Sequence, residues 1–373
     1  MKALRYYPSV PRYLLAGRLG TRYPIAQLPL RLERLPAPQI PPGWQRVKVR
    51  LSGICGSDLS LLYGKNSPRL SPFFSFPAVL GHEILGEVEG VRVVVNPLLA
   101  CRERGVEPCA ACQGGEDGRC QKPAEGAFAP GMLGFCRDLP GGWGETVAVH
   151  PDRLYPIPDT VPDARAVLAE PLAVALRGLS LAFPGGPPAS LLVVGAGTIG
   201  LLTVVALRLT GYGGELHAVA RHLVQADMAR QLGADRVHGS VAEAAEAVGA
   251  KAYRAIIGPP AWRGGFGAVV DAAGSASSLA QASWAVAEGG TLLLLGAPGH
   301  LRHDLSPYWF RELRLVGSYV YRREDFAKAV SLLAEAEGLE RLVGASYPLE
   351  EWREALGAVR TRRAVKVVFA PQT

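Results

Sequence analysis

From Leu191 onward the chain alternates short, mainly apolar runs with alanine-rich stretches of helical character. Apolar runs that lack polar alternation suit strands buried on both faces, and their alternation with helices is the pattern of a parallel sheet covered on both sides. Six runs are predicted as strands: "LLVVG" (191–195), "LHAVA" (216–220), "RVH" (236–238), "AVVDA" (268–272), "TLLLLG" (291–296) and "LRLVGS" (313–318). Six is the number that a complete doubly wound dinucleotide-binding sheet requires. Between and beyond them, "SVAEAAEAVGAKA" and "DFAKAVSLLAEAEG" read as helices and "AVKVVFAP" as a closing strand. The first third has another texture, rich in proline and glycine, with short strand-like runs such as "WQRVKVRL" and "GVRVVVNP" between loops.

A chain of 373 residues exceeds what one hydrophobic core usually organises, so two domains are expected. With 49% hydrophobic and 20% charged residues, both signs mixed along the chain, the composition is that of a globular enzyme-sized protein. No apolar run approaches the roughly 18 residues of a membrane span. The opening "MKALRYYPSV" lacks the apolar stretch of a signal peptide, which makes the cytoplasm the default location. The net charge of +7 comes from arginines scattered in ones and twos, a solvated surface and not a nucleic-acid footprint. Excess positive charge still favours a phosphorylated ligand.

Within "LLVVGAGTIGLLTVVALRL" the glycines fall at Gly195, Gly197 and Gly200, after an apolar strand and before an apolar helix. That context turns a weak motif into a dinucleotide signature. Gly195 permits the tight turn, Gly197 lets the backbone approach a pyrophosphate, and Gly200 lets helix and strand pack closely. Thr198 and Ile199 open the helix whose free N–H groups face the phosphates. In NAD proteins an acid about 20 residues past the third glycine binds both ribose hydroxyls. Here that position is Ala220, followed by Arg221 and His222. An acid would repel a 2′-phosphate, whereas a guanidinium pairs with it through two charged hydrogen bonds, so NADP is favoured and NAD remains usable.

Three further motifs carry metal chemistry. "GICGSD" presents Cys55, "GHE" presents His82 and Glu83, and "EPLAVALRGL" presents Glu170 just before the dinucleotide signature. Sulfur, imidazole and carboxylate around one open position make a catalytic zinc site. Alone, Cys55 reads as a small core residue and His82 as a satisfied core histidine; the three motifs together reverse that reading.

The order of "GICGSD", "GHE", a four-cysteine lobe, "GGWGETVAVHPDRLYPIPD", "EPLAVALRGL", "VVGAGTIGLL", "VVDAAGS", "TLLLLGAPG" and "YPLEEWREAL" resembles the zinc-dependent medium-chain alcohol and polyol dehydrogenases over nearly the whole chain. The "EPL" version is similar to the sorbitol, glucose and threonine dehydrogenase branch. The resemblance implies an α/β protein: a doubly wound, six-stranded Rossmann domain over 169–320 and a mainly β, GroES-like catalytic domain from 1–168 and 321–373. The active site is expected in the cleft between them. Zinc is then held by Cys55 and His82 with Glu83, while Glu170 either binds directly or holds the metal's water. Asp58 accepts the second N–H of His82. Ser57 takes the substrate's proton as hydride passes to the nicotinamide. Gly53 and Gly56 are expected to let the backbone bend around the metal.

The sequence also departs from that family. Ser60 stands where many alcohol dehydrogenases place a histidine that ends the proton relay. In "CRERGVEPCAACQGGEDGRC", Cys109, Cys112 and Cys120 match the last three members of the C-x2-C-x2-C-x7-C lobe, but the first falls on Val106. Cys101 can supply the fourth thiolate of a structural zinc if "RERGV" loops out, and Cys136 is left as a buried thiol. The amino-terminal stretch through "YLLAGRLGTRYPIAQ" is longer than the family's opening strand, and "GHEILGEVEG" runs straight into "VRVVVNP" without the usual connecting turn. The expected partner is a small alcohol, polyol or sugar, with no nucleic acid and no membrane, and a homo-oligomer, dimer or tetramer, follows by analogy. Two rivals remain: a zinc-free NADPH-dependent reductase of quinones or enones on the same fold, which would lack the Cys55, His82 and Glu170 set, and a non-catalytic binding protein that has kept the fold.

Overall fold

A computed structural model of the chain describes residues 1–297 and 299–373. It divides into two compact units, Met1–Glu170 with Tyr321–Thr373, and Pro171–Val320.

The second unit is built on a six-stranded, wholly parallel sheet. Its spatial order runs Arg236–His238, Glu215–Val219, Ser190–Val194, Phe266–Asp271, Val286–Leu294, Arg314–Gly317. That places the third strand outermost on one side, the first in the middle and the sixth on the far edge, the order of a doubly wound dinucleotide fold. Leu191 to Val194 are all buried because helices cover both faces, as their unbroken apolar run requires. One face packs Leu192, Val194, Val219, Phe266, Val269 and Leu292 against the helix Ala276–Ala285.

One sequence expectation is overturned here. "SVAEAAEAVGAKA" is helical only over Val241–Ala247, and Lys251–Tyr253 pairs antiparallel with Ala261–Arg263 in a hairpin. Gly249, at φ 77°, ends the helix where a left-handed residue is needed and only glycine adopts it without strain.

The first unit is mainly β. Its larger sheet runs Val343–Tyr347, Lys366–Phe369, Gln45–Gly53, Ile84–Val88, Val91–Val95, Leu154–Pro156, with Thr146–Val149 also paired to Gln45–Gly53. In Gln45–Gly53 the valines at 47 and 49 are buried while Arg46, Lys48 and Arg50 face solvent, the two-residue period of a sheet with one wet face. Val47, Val49, Ile84, Val93, Val95 and Val147 form the core beneath it. Ile84–Val88 and Val91–Val95 are joined by Glu89 and Gly90, both at positive φ, the conformation of a two-residue hairpin. A connecting turn is therefore present where the sequence suggested none. The extra amino-terminal stretch folds as the helix Val10–Leu19.

Candidate active site and metal centres

Cys55 stands at the amino-terminal cap of the helix Gly56–Leu62, directly after the Gln45–Gly53 strand. Its N–H donates to Asp58 Oδ2 at 2.9 Å, which fixes both residues on the first turn. His82 and Glu83 lie in the link between Ala78–Val79 and Ile84–Val88, and the Gly53 N–H donates to the Glu83 carbonyl at 2.9 Å. Sheet pairing thus draws together two motifs that are far apart in the chain. One donor atom each from Cys55, His82 and Glu83 lies within 4.8 Å of the other two, with His82 and Glu83 buried.

His82 is held between two neighbours. Its Nε2 lies 3.3 Å from Ser57 Oγ, and its Nδ1 lies 3.5 Å from Asp58 Oδ1. The second distance is longer than a closed hydrogen bond, and neither atom has another partner among the described residues. A buried imidazole and carboxylate left open in this way are the orphan atoms that a metal on the far ring nitrogen would draw into register. Burial opposes a charged His82, but Asp58 and Cys55 override it and raise its pKa well above the ordinary value.

Glu170, at the start of the helix Ala169–Ala182, is buried and joins the same electrostatic group. Burial pushes its pKa up to about 7; His82 pulls it down, Glu83 pushes it up, and Lys366 pulls it down again. The set thus holds two buried carboxylates, one thiol and one imidazole, chemistry that suits a divalent cation.

Lys366 was not singled out in the sequence, yet it is 2% exposed and its ammonium pairs with the Glu83 carboxylate. The signal was there: one lysine at the start of the otherwise apolar strand "KVVF". Gly53 and Gly56 do not serve as bends, since neither has a positive φ. A side chain at Gly56 would meet nothing within 4 Å, whereas a Cβ at Gly53 would fall 1.7 Å from Glu83 Oε2. Gly53 is needed for the space that carboxylate fills.

The cysteine lobe closes with Cys101 in place of Val106. The Sγ atoms of Cys101, Cys109, Cys112 and Cys120 lie within 4.8 Å of one another. Cys101 and Cys120 sulfurs are 3.6 Å apart, far beyond a disulfide and close to the roughly 3.8 Å edge of a tetrahedron with 2.3 Å zinc–sulfur bonds. Amide N–H groups of Cys109 and Gln121 point at the sulfurs of Cys101 and Cys109, at 3.4 and 3.3 Å. The Gln121 amide leads the effects that lower the Cys109 pKa to about 6.

The "RERGV" segment does loop out, with Val106 N–H returning to the Cys101 carbonyl at 3.0 Å, but it is not idle. Arg104 caps the carbonyls of Leu99, Phe128, Ala129 and Gly131, and Glu103 takes Arg153 at 2.9 Å through both carboxylate oxygens. Cys136 is buried, its thiol facing the Ala129 carbonyl at 3.3 Å.

In the second unit Gly195 sits at φ 100° and its N–H returns to the Val219 carbonyl. A Cβ at Gly200 would lie 1.8 Å from the Gly195 carbonyl oxygen, so the third glycine is a packing requirement. Gly197, which caps the helix Thr198–Leu209, is exposed, and a Cβ there would meet nothing within 4 Å. Its missing side chain leaves open space outside the turn, where a phosphate would approach the N–H groups of Thr198 and Ile199. Ala220 follows the strand Glu215–Val219, Arg221 is exposed, and His222 caps the helix Leu223–Gln231.

Residues 41–159 match the alcohol dehydrogenase GroES-like domain, and 198–335 the zinc-binding dehydrogenase domain. The D-altritol 5-dehydrogenase of Agrobacterium fabrum is 32% identical, covering 86% of this chain and 90% of its own. An L-threonine 3-dehydrogenase from Anaeromyxobacter is 28% identical over 90% of this chain and 93% of its own. A solved zinc-binding dehydrogenase from Sinorhizobium meliloti bound to NADP superposes with a TM-score of 0.73 at 26% identity, covering 99% of each chain. With both domain matches in the expected order and a relative at that identity along most of its length, the chain belongs to the zinc-dependent medium-chain alcohol and polyol dehydrogenases.

Proposed function

We propose that this dehydrogenase exchanges a hydride between a secondary hydroxyl of a polyol, sugar or amino alcohol and NADP, at a metal held by Cys55, His82 and Glu83. The observation that carries the reading is the convergence of those three donors, with Ser57 and Glu170 beside them. D-Altritol and L-threonine, named for the relatives, both offer secondary hydroxyls. When bound, the metal supplies Lewis-acid polarisation of the substrate oxygen, and the nicotinamide supplies hydride exchange.

The chain's own residues do the rest. Ser57 receives the hydroxyl proton, and Ser60, three residues on along the same helix and so on the same face, passes it outward. Asp58 fixes the tautomer of His82 through Nδ1. Glu170, outside the three-donor triangle, holds the fourth position or its water. Cys101, Cys109, Cys112 and Cys120 hold a second, structural zinc. Gly195, Gly197, Gly200, Thr198 and Ile199 seat the pyrophosphate, and Arg221 with His222 beside Ala220 reads the 2′-phosphate. The enzyme is taken to act in the cytoplasm as a homo-oligomer.

The test is a steady-state screen of polyols, sugars, amino alcohols and simple alcohols with both dinucleotides, alongside zinc analysis. Cys55→Ser and His82→Ala are expected to abolish turnover while dinucleotide binding persists. Full turnover by either variant after exhaustive chelation would overturn the assignment.

A further inference from the structure

We propose that Lys366 is a positioning residue of the metal site, whose ammonium clamps Glu83 to the Cys55 loop and offsets the negative charge of the donors. The proposal rests on the reading that Cys55, His82 and Glu83 hold the metal. Lys366 begins the strand Lys366–Phe369, which pairs with the end of Gln45–Gly53 through Val368 and Gly53. From there its side chain reaches two targets. Nζ donates to the carbonyl of Ile54, the residue before Cys55, at 3.1 Å, and it pairs with Glu83 Oε2. One ammonium therefore ties the segment that carries the thiolate to the side chain that carries the carboxylate.

Three features distinguish this from ordinary packing. First, a buried lysine is expensive to desolvate, and a methionine of similar volume would fill the strand position without that penalty. Second, the pair has been given room: a Cβ at Gly53 would lie 2.8 Å from Lys366 Cε as well as 1.7 Å from Glu83 Oε2. Third, Lys366 sets one basic side chain beside the Cys55 thiol and the buried acids Asp58, Glu83 and Glu170, an otherwise acidic donor group.

The test uses the full-length enzyme stripped of metal and reloaded with Co2+, with the spectrum of Cys55→Ser subtracted to remove the four-cysteine lobe. If the wild type shows no Cys55-dependent cobalt absorption, the metal reading itself fails. With that absorption present, Lys366→Met is expected to weaken Co2+ binding about ten- to a hundredfold and to shift the ligand-field bands, and Lys366→Arg to recover most of the loss. An unchanged spectrum and affinity in Lys366→Met overturns the proposal. Because that variant leaves Glu83 buried without a partner and can fail to fold, the same substitution is also made in a Glu83→Gln background, where no buried carboxylate is stranded. There Lys366→Met should cost clearly less than it does beside Glu83, since only its hold on the Ile54 carbonyl remains to be lost; an equal loss in both backgrounds would show that Lys366 does not position Glu83 and would overturn the proposal.

Discussion

Single residues carry the proposed cofactor choice and metal site, and they differ in how plainly the sequence shows them. Ala220 and Arg221 are legible by counting from Gly200, because the length of a helix and a strand fixes where the second strand ends. Gly53 is not: its reason is a carboxylate brought from position 83 by sheet pairing, and no local spacing reveals that. Lys366 was missed for the same cause, since a lone lysine in a strand ordinarily reads as surface. For the cofactor, Arg221 is exposed and the strand end carries no acid, so NADP should be favoured over NAD by roughly tenfold to a hundredfold, the worth of charged hydrogen bonds of about 1.5–3 kcal/mol. The ratio of kcat/KM for the two dinucleotides checks this, and Ala220→Asp with Arg221→Leu should reverse it. A wild type that prefers NAD, or a double variant that keeps NADP, would place the reader of the phosphate on another loop.

At the scale of elements, the six parallel strands were legible because their runs are mainly apolar and lack the polar alternation of a sheet with one wet face, most plainly at residues 191–194. The hairpin Lys251–Arg263 was not, because alanine-rich sequence continues the helical signal past the glycine that ends it. The cysteine lobe shows both outcomes. Its sulfurs were countable, but what holds "RERGV" in place is an ion network assembled from distant segments. Arg153, buried, takes Glu103 at 2.9 Å and Asp117 at 2.7 Å, and Arg323 reaches Asp117 at 2.7 Å. Arg153→Met would leave the buried Glu103 and Asp117 with Arg323 as their remaining cation, an expected loss of about 1.5–3 kcal/mol seen in denaturant unfolding. Cys109→Ser should act on stability more than on chemistry, because a closed thiolate site contributes to folding and not to turnover. A loss on the order of 2–3 kcal/mol would lower Tm by about 5–10 °C with kcat little changed. If the protein holds one zinc per chain and melts unchanged after this substitution, the lobe holds no metal.

For the whole molecule, the two units have separate cores and separate chemical weaknesses. Both clusters that could hold a metal among the described residues lie in the first unit, so chelation should weaken that unit first. The second unit has a different sensitivity. His217 and His238 stack between the neighbouring strands Glu215–Val219 and Arg236–His238, with His217 Nδ1 3.1 Å from His238 Nε2. One neutral ring donates to the other, which two protonated rings cannot do. Burial lowers the pKa of each from 6.5; the pull of Glu215 on His217 and of Glu243 on His238 opposes it without prevailing, and Arg236 adds to the lowering. Both groups bind a proton more readily unfolded than folded. Their contribution to stability is therefore complete above the unfolded pKa near 6.5 and is lost as pH falls toward the lowered folded values. Amide exchange along Glu215–Val219, corrected for its intrinsic pH dependence, should quicken as the pH is taken from 7.5 to 5.5 in the wild type. Replacing both rings, His217→Gln with His238→Gln, removes the titrating groups and should flatten that response even if it lowers stability overall. An equal acceleration in wild type and double variant would mean that the acid sensitivity of this unit lies in other groups.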